Sequence, residues 1–228
     1  MPEIKPIAFL RTPFAEKFGV PRQSGLVAAA EGRVEFLPEF ASRDFTRGLE
    51  AFSHVWLVTG FHKNPVWDGA ATVRPPRLGG NERVGVFASR SPLRPNGLGL
   101  SLVCLLGVEP GGLRVGGIDC VDGTPLYDIK PYLPWCEAQP QARADWAQGA
   151  PDVRAAERIR VPPEIEAGLP ADVATLVRQL LALELQPAYQ TGGAGRVYGM
   201  TVAGWNIRWR QIGEGVEVVA AELLSKGW

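Results

Sequence analysis

The sequence predicts a mainly β protein, a barrel or sandwich of short strands followed by a small α+β unit. Glycine (27) and proline (20) together supply 47 of the 228 residues, which is a turn-rich composition. Short runs rich in Val, Leu and Ile recur between these turn residues, as is typical of barrels and sandwiches. One window in the last third of the chain has helical periodicity instead.

The first part of the chain carries most of the predicted strands. We expect them at residues 4–10, 26–30, 33–37, 53–61, 83–88, 100–108 and 113–118. Glu31-Gly32 is expected to turn the chain between the second and third of these strands. The sequence Glu109-Pro110-Gly111-Gly112 separates two Val/Leu-rich runs and predicts a hairpin. Together these elements indicate a first domain over residues 1–136.

The strand pattern stops over residues 137–163, where Pro, Ala, Gln and Arg dominate. We interpret this stretch as a connector with one helical turn near residues 142–148, and expect a second domain over residues 164–228. Residues 172–185 carry the apolar stripe of an amphipathic helix, with Pro170 before it and Pro187 after it. Strands are expected at residues 196–202, 206–212 and 216–223.

Several classes of protein do not fit this pattern. No glycine signature follows a strand and opens a helix as in dinucleotide-binding or doubly wound methyltransferase folds, and no P-loop motif occurs. The sequence has no apolar run long enough for a membrane-spanning helix and no signal-peptide pattern, so we expect a cytoplasmic protein. Cys104, Cys120 and Cys136 form no CxxC pair and are expected to pack as small hydrophobic residues. His54 and His62 lack paired ligands nearby, so no metal site is expected.

Charge is balanced over the whole chain but not along it. The formal net charge is zero, so the molecule as a whole is not expected to attract nucleic acid. Residues 74–96, however, hold five arginines against one acidic residue, Glu82, a local excess of +4. These arginines are Arg74, Arg77, Arg83, Arg90 and Arg94. A solvated loop and a phosphate-binding surface explain them equally well at this stage.

Four segments concentrate the residue types that loops use for binding and catalysis. They cover residues 16–26, 48–63, 72–97 and 119–134. Within them RPPRLGGN, an Arg-Ser-Pro…Arg-Pro-Asn loop and DGTPLYDIKPYLP are long and specific motifs. A shorter segment of the same kind, Arg208-Trp209-Arg210, occurs near the C-terminus.

In this order and at these separations, the segments resemble the TsaA-like (TrmO) tRNA methyltransferases. The resemblance runs from the N-terminus to the final hairpin. It implies an N-terminal single-sheeted β-barrel methyltransferase domain with a small α+β C-terminal domain. It further implies S-adenosylmethionine as cofactor and, as methyl acceptor, N6 of threonylcarbamoyladenosine at position 37 in the tRNA anticodon arm. A homodimer with the cofactor near the subunit interface is also implied.

The cofactor contacts of that family match residues in all four segments of this chain. They fall on Pro21, Arg22, Gln23, His62, Lys63, Arg90, Leu100, Asp122, Gly123, Thr124 and Pro125. Arg22 or Arg90 suits the carboxylate of the cofactor's methionine part. The turn that begins at Asp122 can offer main-chain hydrogen bonds to the purine, with Leu100 as an apolar wall. Without the family match, the turn and His62 would be read as ordinary structural features.

Methyl transfer from a sulfonium mainly requires alignment, but the adenine N6 is a weak nucleophile. A base that takes its proton would help. The resemblance and this chemistry point to Asp128, with Lys130 and Tyr132 as positioning partners. A structural ion pair between Asp128 and Lys130 explains the same residues equally well.

Arginine side chains are the expected contacts for the tRNA phosphates. Arg74, Arg77 and Arg94 lie in the basic segment. Arg208 and Arg210 alternate with Trp209 along a predicted strand, so both arginines should project from one face. A core tryptophan flanked by solvated arginines is the simpler reading of this tripeptide, and it still leaves an arginine face that can meet RNA.

Two other functions remain as alternatives. A non-catalytic sensor module that binds S-adenosylmethionine or RNA would not need Asp128, Lys130 and Tyr132 beside the cofactor. A hydrolase or lyase acting on a small nucleoside is less favoured, because neither a Ser-His-Asp order nor paired metal ligands are evident.

Overall fold

The structure is a computed structural model of the chain, and it describes residues 3–183 and 195–224. Its N-terminal part is a closed six-stranded barrel. The barrel strands are β1 (Ala8–Arg11), β2 (Glu31–Phe36), β3 (His54–Gly60), β6 (Leu98–Glu109), β7 (Gly112–Gly116) and β8 (Pro125–Pro131). A separate ribbon, β4 (Thr72–Val73) with β5 (Val84–Gly85), lies in the long excursion between β3 and β6.

Around the barrel the strand order is β1-β2-β7-β6-β3-β8, which returns to β1. Neighbouring strands are antiparallel, and alternate side chains along each strand fill the interior. Closure leaves the barrel without an unpaired edge. The buried interior residues include Leu10, Val34, Val55, Leu57, Val103, Leu113, Val115 and Leu126. The predicted β-barrel is therefore confirmed, and with it the hairpin between β6 and β7.

Two sequence-based strand predictions and one turn prediction in this part were wrong. Residues 26–30 form turns, because the amide of Ala29 donates to Oε1 of Gln179 (2.9 Å) and takes no place in a strand ladder. Consequently Glu31-Gly32 does not turn the chain but opens β2. Of residues 83–88 only two pair as β5, and the next three form a 3₁₀ turn.

Strand β8 was not predicted, since its sequence had been interpreted as a binding segment. It lies between β1 and β3 and closes the barrel. Prolines stand at both of its ends, where missing amide donors are tolerated. A register shift opposite Val58 and Thr59 makes Tyr127 an extra residue, so β8 contains a bulge.

The C-terminal part is a four-stranded sheet with a helix packed on it. In chain order it contains α1 (Pro134–Glu137), β9 (Ile159–Arg160), α2 (Pro163–Glu166), α3 (Ala171–Ala182), β10 (Val197–Val202), β11 (Trp205–Ile212) and β12 (Gly215–Leu223). The strand order is β10-β11-β12-β9. The predicted meander is confirmed, but β9, which pairs in parallel with β12, lies in the stretch interpreted as a connector.

Helix α3 has the apolar face that its periodicity predicts. Val173, Leu176, Val177 and Leu180 are buried along it, together with Leu181. Pro170 stands at its N-cap. The helix ends at Ala182, short of the predicted end at Leu185, because Leu183 is extended and forms a β-bridge with Val153. Leu185 itself and Pro187 lie outside the described residues. The predicted turn around residues 142–148 is present as a 3₁₀ helix over Asp145–Ala147.

The barrel and the C-terminal sheet share one continuous hydrophobic core. The contact is made by residues 12–25, which leave β1 and run against the sheet. Phe14 forms a β-bridge with Val202, and the amide of Ala203 donates to the carbonyl of Pro13 (2.8 Å). The ring of Phe18 stacks on Trp209, with 6.0 Å between centroids. The two parts therefore support each other through this N-terminal segment.

Replacing Trp209 should test that shared core. Its side chain is 1% exposed and stacked between Phe18 and Tyr198, so Trp209→Ala should lower the free energy of unfolding by about 3–5 kcal/mol. Denaturant unfolding followed by circular dichroism measures it. Phe87→Ala is the control, because Phe87 is an aromatic side chain that is 80% exposed, and its loss should cost little. Equal losses in the two variants would contradict the packing described.

Candidate cofactor site at one end of the barrel

The segments that carry the predicted cofactor residues meet at one end of the barrel, which we call the site end. There β1 and β3 finish and β6 and β8 begin. Gly60 pairs with Leu98 and Thr59 with Leu126, so the end of β3 lies between the starts of β6 and β8. The antiparallel register alone therefore brings these distant parts of the sequence together.

The turn over residues 122–125 is bonded into the site end through its amides. The amide of Asp122 donates to the carbonyl of Phe14 (2.8 Å), and that of Gly123 to Leu10 (2.8 Å). The amide of Thr124 donates back to Val121 within the turn (3.2 Å). Since Pro125 has no amide hydrogen, the turn offers a ligand hydrogen-bond acceptors and not donors. This refines the expectation that its main chain contacts a purine.

His62 and Lys63 follow β3 and reach this turn. Nδ1 of His62 lies 3.4 Å from Oγ1 of Thr124. A side chain at Gly123 would approach Nε2 of His62 to 3.8 Å, and the φ of +76° there favours glycine. Nζ of Lys63 donates to the carbonyl of Ala15 (2.7 Å). The structure thus places both predicted residues beside the predicted turn, with Lys63 holding the N-terminal segment.

Gln23 and Arg90 form a second group. Nη1 of Arg90 donates to Oε1 of Gln23, and Nε2 of Gln23 donates to the carbonyl of Arg22 (2.5 Å). Pro21 is buried immediately before them. These contacts join the N-terminal segment to the arginine-rich excursion between β3 and β6. Gln23 and Arg90, which were predicted to contact the same cofactor, therefore lie together.

Leu100 and Asp128 lie on the same rung of the outer barrel surface. Leu100 pairs with Val58 on one side, and Asp128 pairs with Val58 on the other. Two strand spacings place their backbones about 10 Å apart. Leu100 is 59% exposed, an unusual position for a leucine that nothing in this chain covers among the described residues. The predicted apolar wall and the predicted base therefore share one outer face.

Asp128 makes the ion pair that the sequence left open as a structural alternative. Its Oδ2 lies 3.2 Å from Nζ of Lys130, and both side chains are largely exposed. Its Oδ1 accepts a hydrogen bond from the amide of Ile129 (2.9 Å). Tyr132 directly follows β8 and packs edge-on against His54 and Trp56. Tyr132 shares the outer face with Asp128 but does not lie beside it.

The arginines predicted to contact RNA have different environments. Arg74 and Arg77 are exposed in the excursion. Arg94 is half-buried, and its Nη1 donates to the carbonyl of Ser89 (3.3 Å), so it also shapes its own loop. Arg208 and Arg210 project from one face of β11 as predicted, but they pair with Glu222 (2.6 Å) and Glu217 (2.7 Å) respectively.

The three cysteines differ in their burial, and one of them contacts a histidine. Cys120 is buried as expected, but Cys104 and Cys136 are exposed, which corrects the expectation that all three pack as hydrophobic residues. Strand alternation places Cys104 on the outer face, where its Sγ lies 3.3 Å from Nε2 of His54. Over residues 3–183 and 195–224 no group of three potential metal ligands occurs. The same residues include no helix long and apolar enough to cross a membrane.

Comparison with known proteins assigns the whole chain to one family. Residues 9–138 match the model of the tRNA-methyltransferase O N-terminal domain, and residues 155–223 match that of the TrmO C-terminal domain. The tRNA (adenine(37)-N6)-methyltransferase of Escherichia coli is 43% identical over 230 residues, covering 96% of this chain and 97% of that protein. The chain belongs to the TrmO family.

Two relatives from Pseudomonas aeruginosa agree with this assignment. A putative S-adenosylmethionine-dependent methyltransferase is 44% identical over 210 residues, covering 90% of this chain and 91% of that protein. A crystal structure of TrmO superposes with a TM-score of 0.79 at 33% identity, over 97% of this chain and 99% of that one. As a TrmO-family member, the chain is a tRNA methyltransferase that uses S-adenosylmethionine, which excludes the hydrolase alternative.

The residues at the site end fit this cofactor. Arg90 and Arg22 supply cationic groups of the kind that bind a carboxylate, and the acceptors of the 122–125 turn suit the amino group of adenine. The exposed side chain of Leu100, near the start of β6, offers an apolar surface at this end of the barrel. Sequence reasoning gave no role to Asp119, whose carboxylate accepts a hydrogen bond from Ser101 at the same end. Its signal was an acidic residue between the apolar residues Ile118 and Cys120.

The ionisation of His62 provides a direct test of this environment. Partial burial lowers the pKa of His62, and the charge of Lys63 lowers it further, while Asp122 partly opposes the shift. Proton NMR titration should therefore give a midpoint below the ordinary 6.5. The chain has two histidines, so His62→Gln assigns the signals. A midpoint at or above 6.5 for His62 would contradict the described packing.

Proposed function

We propose that this protein is a cytoplasmic enzyme that methylates N6 of adenosine 37 in tRNA, with threonylcarbamoyladenosine as the acceptor. S-adenosylmethionine supplies an activated methyl group. The observation that carries the proposal is the convergence at the site end: Gln23 contacts Arg90, His62 contacts Thr124, and Leu100 lies on the outer face near the start of β6. The relative from Escherichia coli is named for methylation of adenine 37, which supports the position.

We assign cofactor binding to the residues predicted from the family. Arg22 and Arg90 hold the carboxylate, His62, Lys63 and the 122–125 turn lie around the purine and ribose, and Leu100 provides the apolar wall. We assign to Asp128, on the same rung as Leu100, the role of accepting the proton of the adenine nitrogen. Lys130 would hold the Asp128 carboxylate, and Tyr132, which packs against His54 and Trp56, would help to position the acceptor.

The arginine-rich excursion is proposed to bind the anticodon arm. Arg74 and Arg77 are exposed and suited to phosphates, and Arg94 reinforces the same loop. Phe87 is 80% exposed beside this basic stretch, and an exposed ring can stack on an unpaired base. Arg208 and Arg210 add a second basic face. Each guanidinium keeps further N–H donors beyond those used for Glu222 and Glu217.

We also propose that the enzyme acts as a homodimer through the outer face of β6, β3 and β8. This face and the segment that follows β8 expose large apolar side chains that a second copy would cover: Leu100 and Leu106 on β6, and Leu133 and Trp135 after β8. Because Leu100 is among them, the cofactor would then lie close to the subunit interface. That arrangement agrees with the family resemblance of the sequence.

The substrate assignment is tested by comparing two forms of one tRNA. One carries threonylcarbamoyladenosine at position 37, and the other has unmodified adenosine there. With S-adenosylmethionine present, nucleoside mass spectrometry should find the added methyl group in the threonylcarbamoylated form alone. Equal methylation of unmodified adenosine 37 would contradict the acceptor we propose. Methylation of neither form would contradict the proposed activity.

Substitution of Asp128 tests whether this residue is a catalytic base, which an enzyme would use and a sensor module would not need. Asp128→Asn keeps the shape of the side chain and removes the base, so the methylation rate should fall by about 10²–10⁴ while tRNA and cofactor still bind. Single-turnover kinetics with separate binding titrations measures both. Asp44→Asn is the matched control, since it alters another exposed aspartate that pairs with a cation, Arg47. A near wild-type rate for Asp128→Asn would make the Asp128–Lys130 pair structural.

A further inference from the structure

A carboxylate lies under the cofactor site without a role in the chemistry described so far. Asp119 follows β7 by three positions and lies between Ile118 and Cys120, both buried in the barrel core. Burial raises the pKa of the Asp119 carboxyl, because removal from water destabilises its ionised form. A largely buried carboxylate persists in a fold where specific hydrogen bonds compensate for that cost.

The compensating hydrogen bonds come from two other parts of the chain. Oγ of Ser101 donates to Oδ1 of Asp119 at 2.6 Å, the short distance typical of a hydroxyl on a charged acceptor. The backbone amide of Ser24 faces the same carboxylate and lowers its pKa, which opposes the effect of burial. The thiol of Cys120 adds a weak contact at 3.8 Å.

Ser101 and Ser24 are each next in sequence to a proposed cofactor residue. Ser101 follows Leu100 on β6, and Ser24 follows Gln23 in the N-terminal segment. Asp119 itself is three residues before Asp122, where the 122–125 turn begins. One carboxylate therefore joins three segments that are separated by up to 95 residues along the chain (119 − 24). A second link lies alongside, since the amide of Gly25 donates to the carbonyl of Gly117 (2.9 Å).

Fixing a loop before the ligand arrives reduces the ordering cost of binding. Residues 21–23 are part of a connection with no strand or helix of its own, so their conformation depends on such anchors. The carboxylate of Asp119 fixes the backbone immediately after Gln23, whose amide group in turn contacts Arg90.

We propose that Asp119 is a positioning residue that holds the 21–24 loop and β6 at Ser101 in the geometry that binds S-adenosylmethionine. This inference rests on the proposed assignment of Arg22, Gln23 and Leu100 to the cofactor. Asp119 acts through these segments and takes no part in proton transfer.

The test compares Asp119→Asn with two other variants by calorimetry with S-adenosylhomocysteine and by steady-state kinetics. Asparagine keeps the shape of the side chain, but it is neutral and has one acceptor oxygen where the carboxylate has two. The Kd for S-adenosylhomocysteine and the KM for S-adenosylmethionine should each rise about tenfold, the factor expected when a charge-assisted hydrogen bond is lost, and kcat should change by less than about threefold. Ser101→Ala, which removes one donor, should shift both constants in the same direction by a smaller factor.

Val115→Ala provides the control for stability. Val115 is buried on β7 and belongs to none of the three segments, so this variant should lower Tm and leave Kd and KM unchanged. Hydrogen exchange adds a local readout. In Asp119→Asn, amide exchange should accelerate in peptides around Ser24 and Gly25 but not in those from the C-terminal sheet.

Wild-type affinity in Asp119→Asn would overturn the inference, and so would a loss confined to kcat. An equal loss of affinity in Val115→Ala would also overturn it, because general destabilisation would then be the cause. Failure of the wild-type protein to bind S-adenosylhomocysteine would instead overturn the proposed function on which the inference rests. The two failures are therefore distinguishable.

Discussion

The N-terminal segment over residues 12–25 is the constraint on which the rest of the structure depends. On the barrel side, Oγ1 of Thr12 donates to the carbonyl of Cys120 (2.8 Å) and its amide donates to Oδ1 of Asp122 (3.0 Å). On the other side, Phe14 and Phe18 pack against the C-terminal sheet. The proposed cofactor residues 21–23 lie in the segment held between these two sets of contacts.

This arrangement links cofactor binding to the C-terminal part of the protein. Trp209 is buried under Phe18 on one face of β11. Its neighbours Arg208 and Arg210 project from the opposite face of the same strand. The strand that supports the cofactor segment is thus the one whose exposed face we propose for RNA. The C-terminal sheet therefore packs against the same N-terminal segment that carries the proposed cofactor residues 21–23.

Charge pairing explains how a chain of zero net charge can still present basic surfaces. Many arginines are matched locally, as Arg210 and Arg160 are by the buried carboxylate of Glu217. Within residues 74–96 of the excursion between β3 and β6, the five arginines face a single acidic residue in the sequence. Positive potential is therefore concentrated near the proposed cofactor residues, where a phosphate backbone would have to approach.

The sequence predicted elements whose information is local, and it missed those defined by distant partners. The stripe of α3 and the β6–β7 hairpin depend on spacing and turn residues within a few positions. Residues 26–30 could not be placed in this way, because Gln179, 150 positions away, takes the amide of Ala29. Strand β8 was missed because its sequence was interpreted as a binding segment, and its bulge at Tyr127 breaks the period of two.

The candidate site was recognised through motifs that resemble a family, since periodicity alone assigns no chemistry to a turn such as Asp122-Gly123-Thr124-Pro125. The structure adds what the motifs could not contain, which is the placement of Leu100 and Asp128 on one rung and the hydrogen bonds of Asp119. These depend on barrel closure, and closure depends on pairing between strands far apart in sequence.

A crystal structure of the protein with S-adenosylhomocysteine tests the central claim most directly. We expect the ligand at the site end of the barrel, with its carboxylate on Arg22 or Arg90, its purine at the 122–125 turn, and Leu100 covered. Density for the ligand at any other position, with Arg90 and the turn unchanged from their contacts described above, would contradict the account.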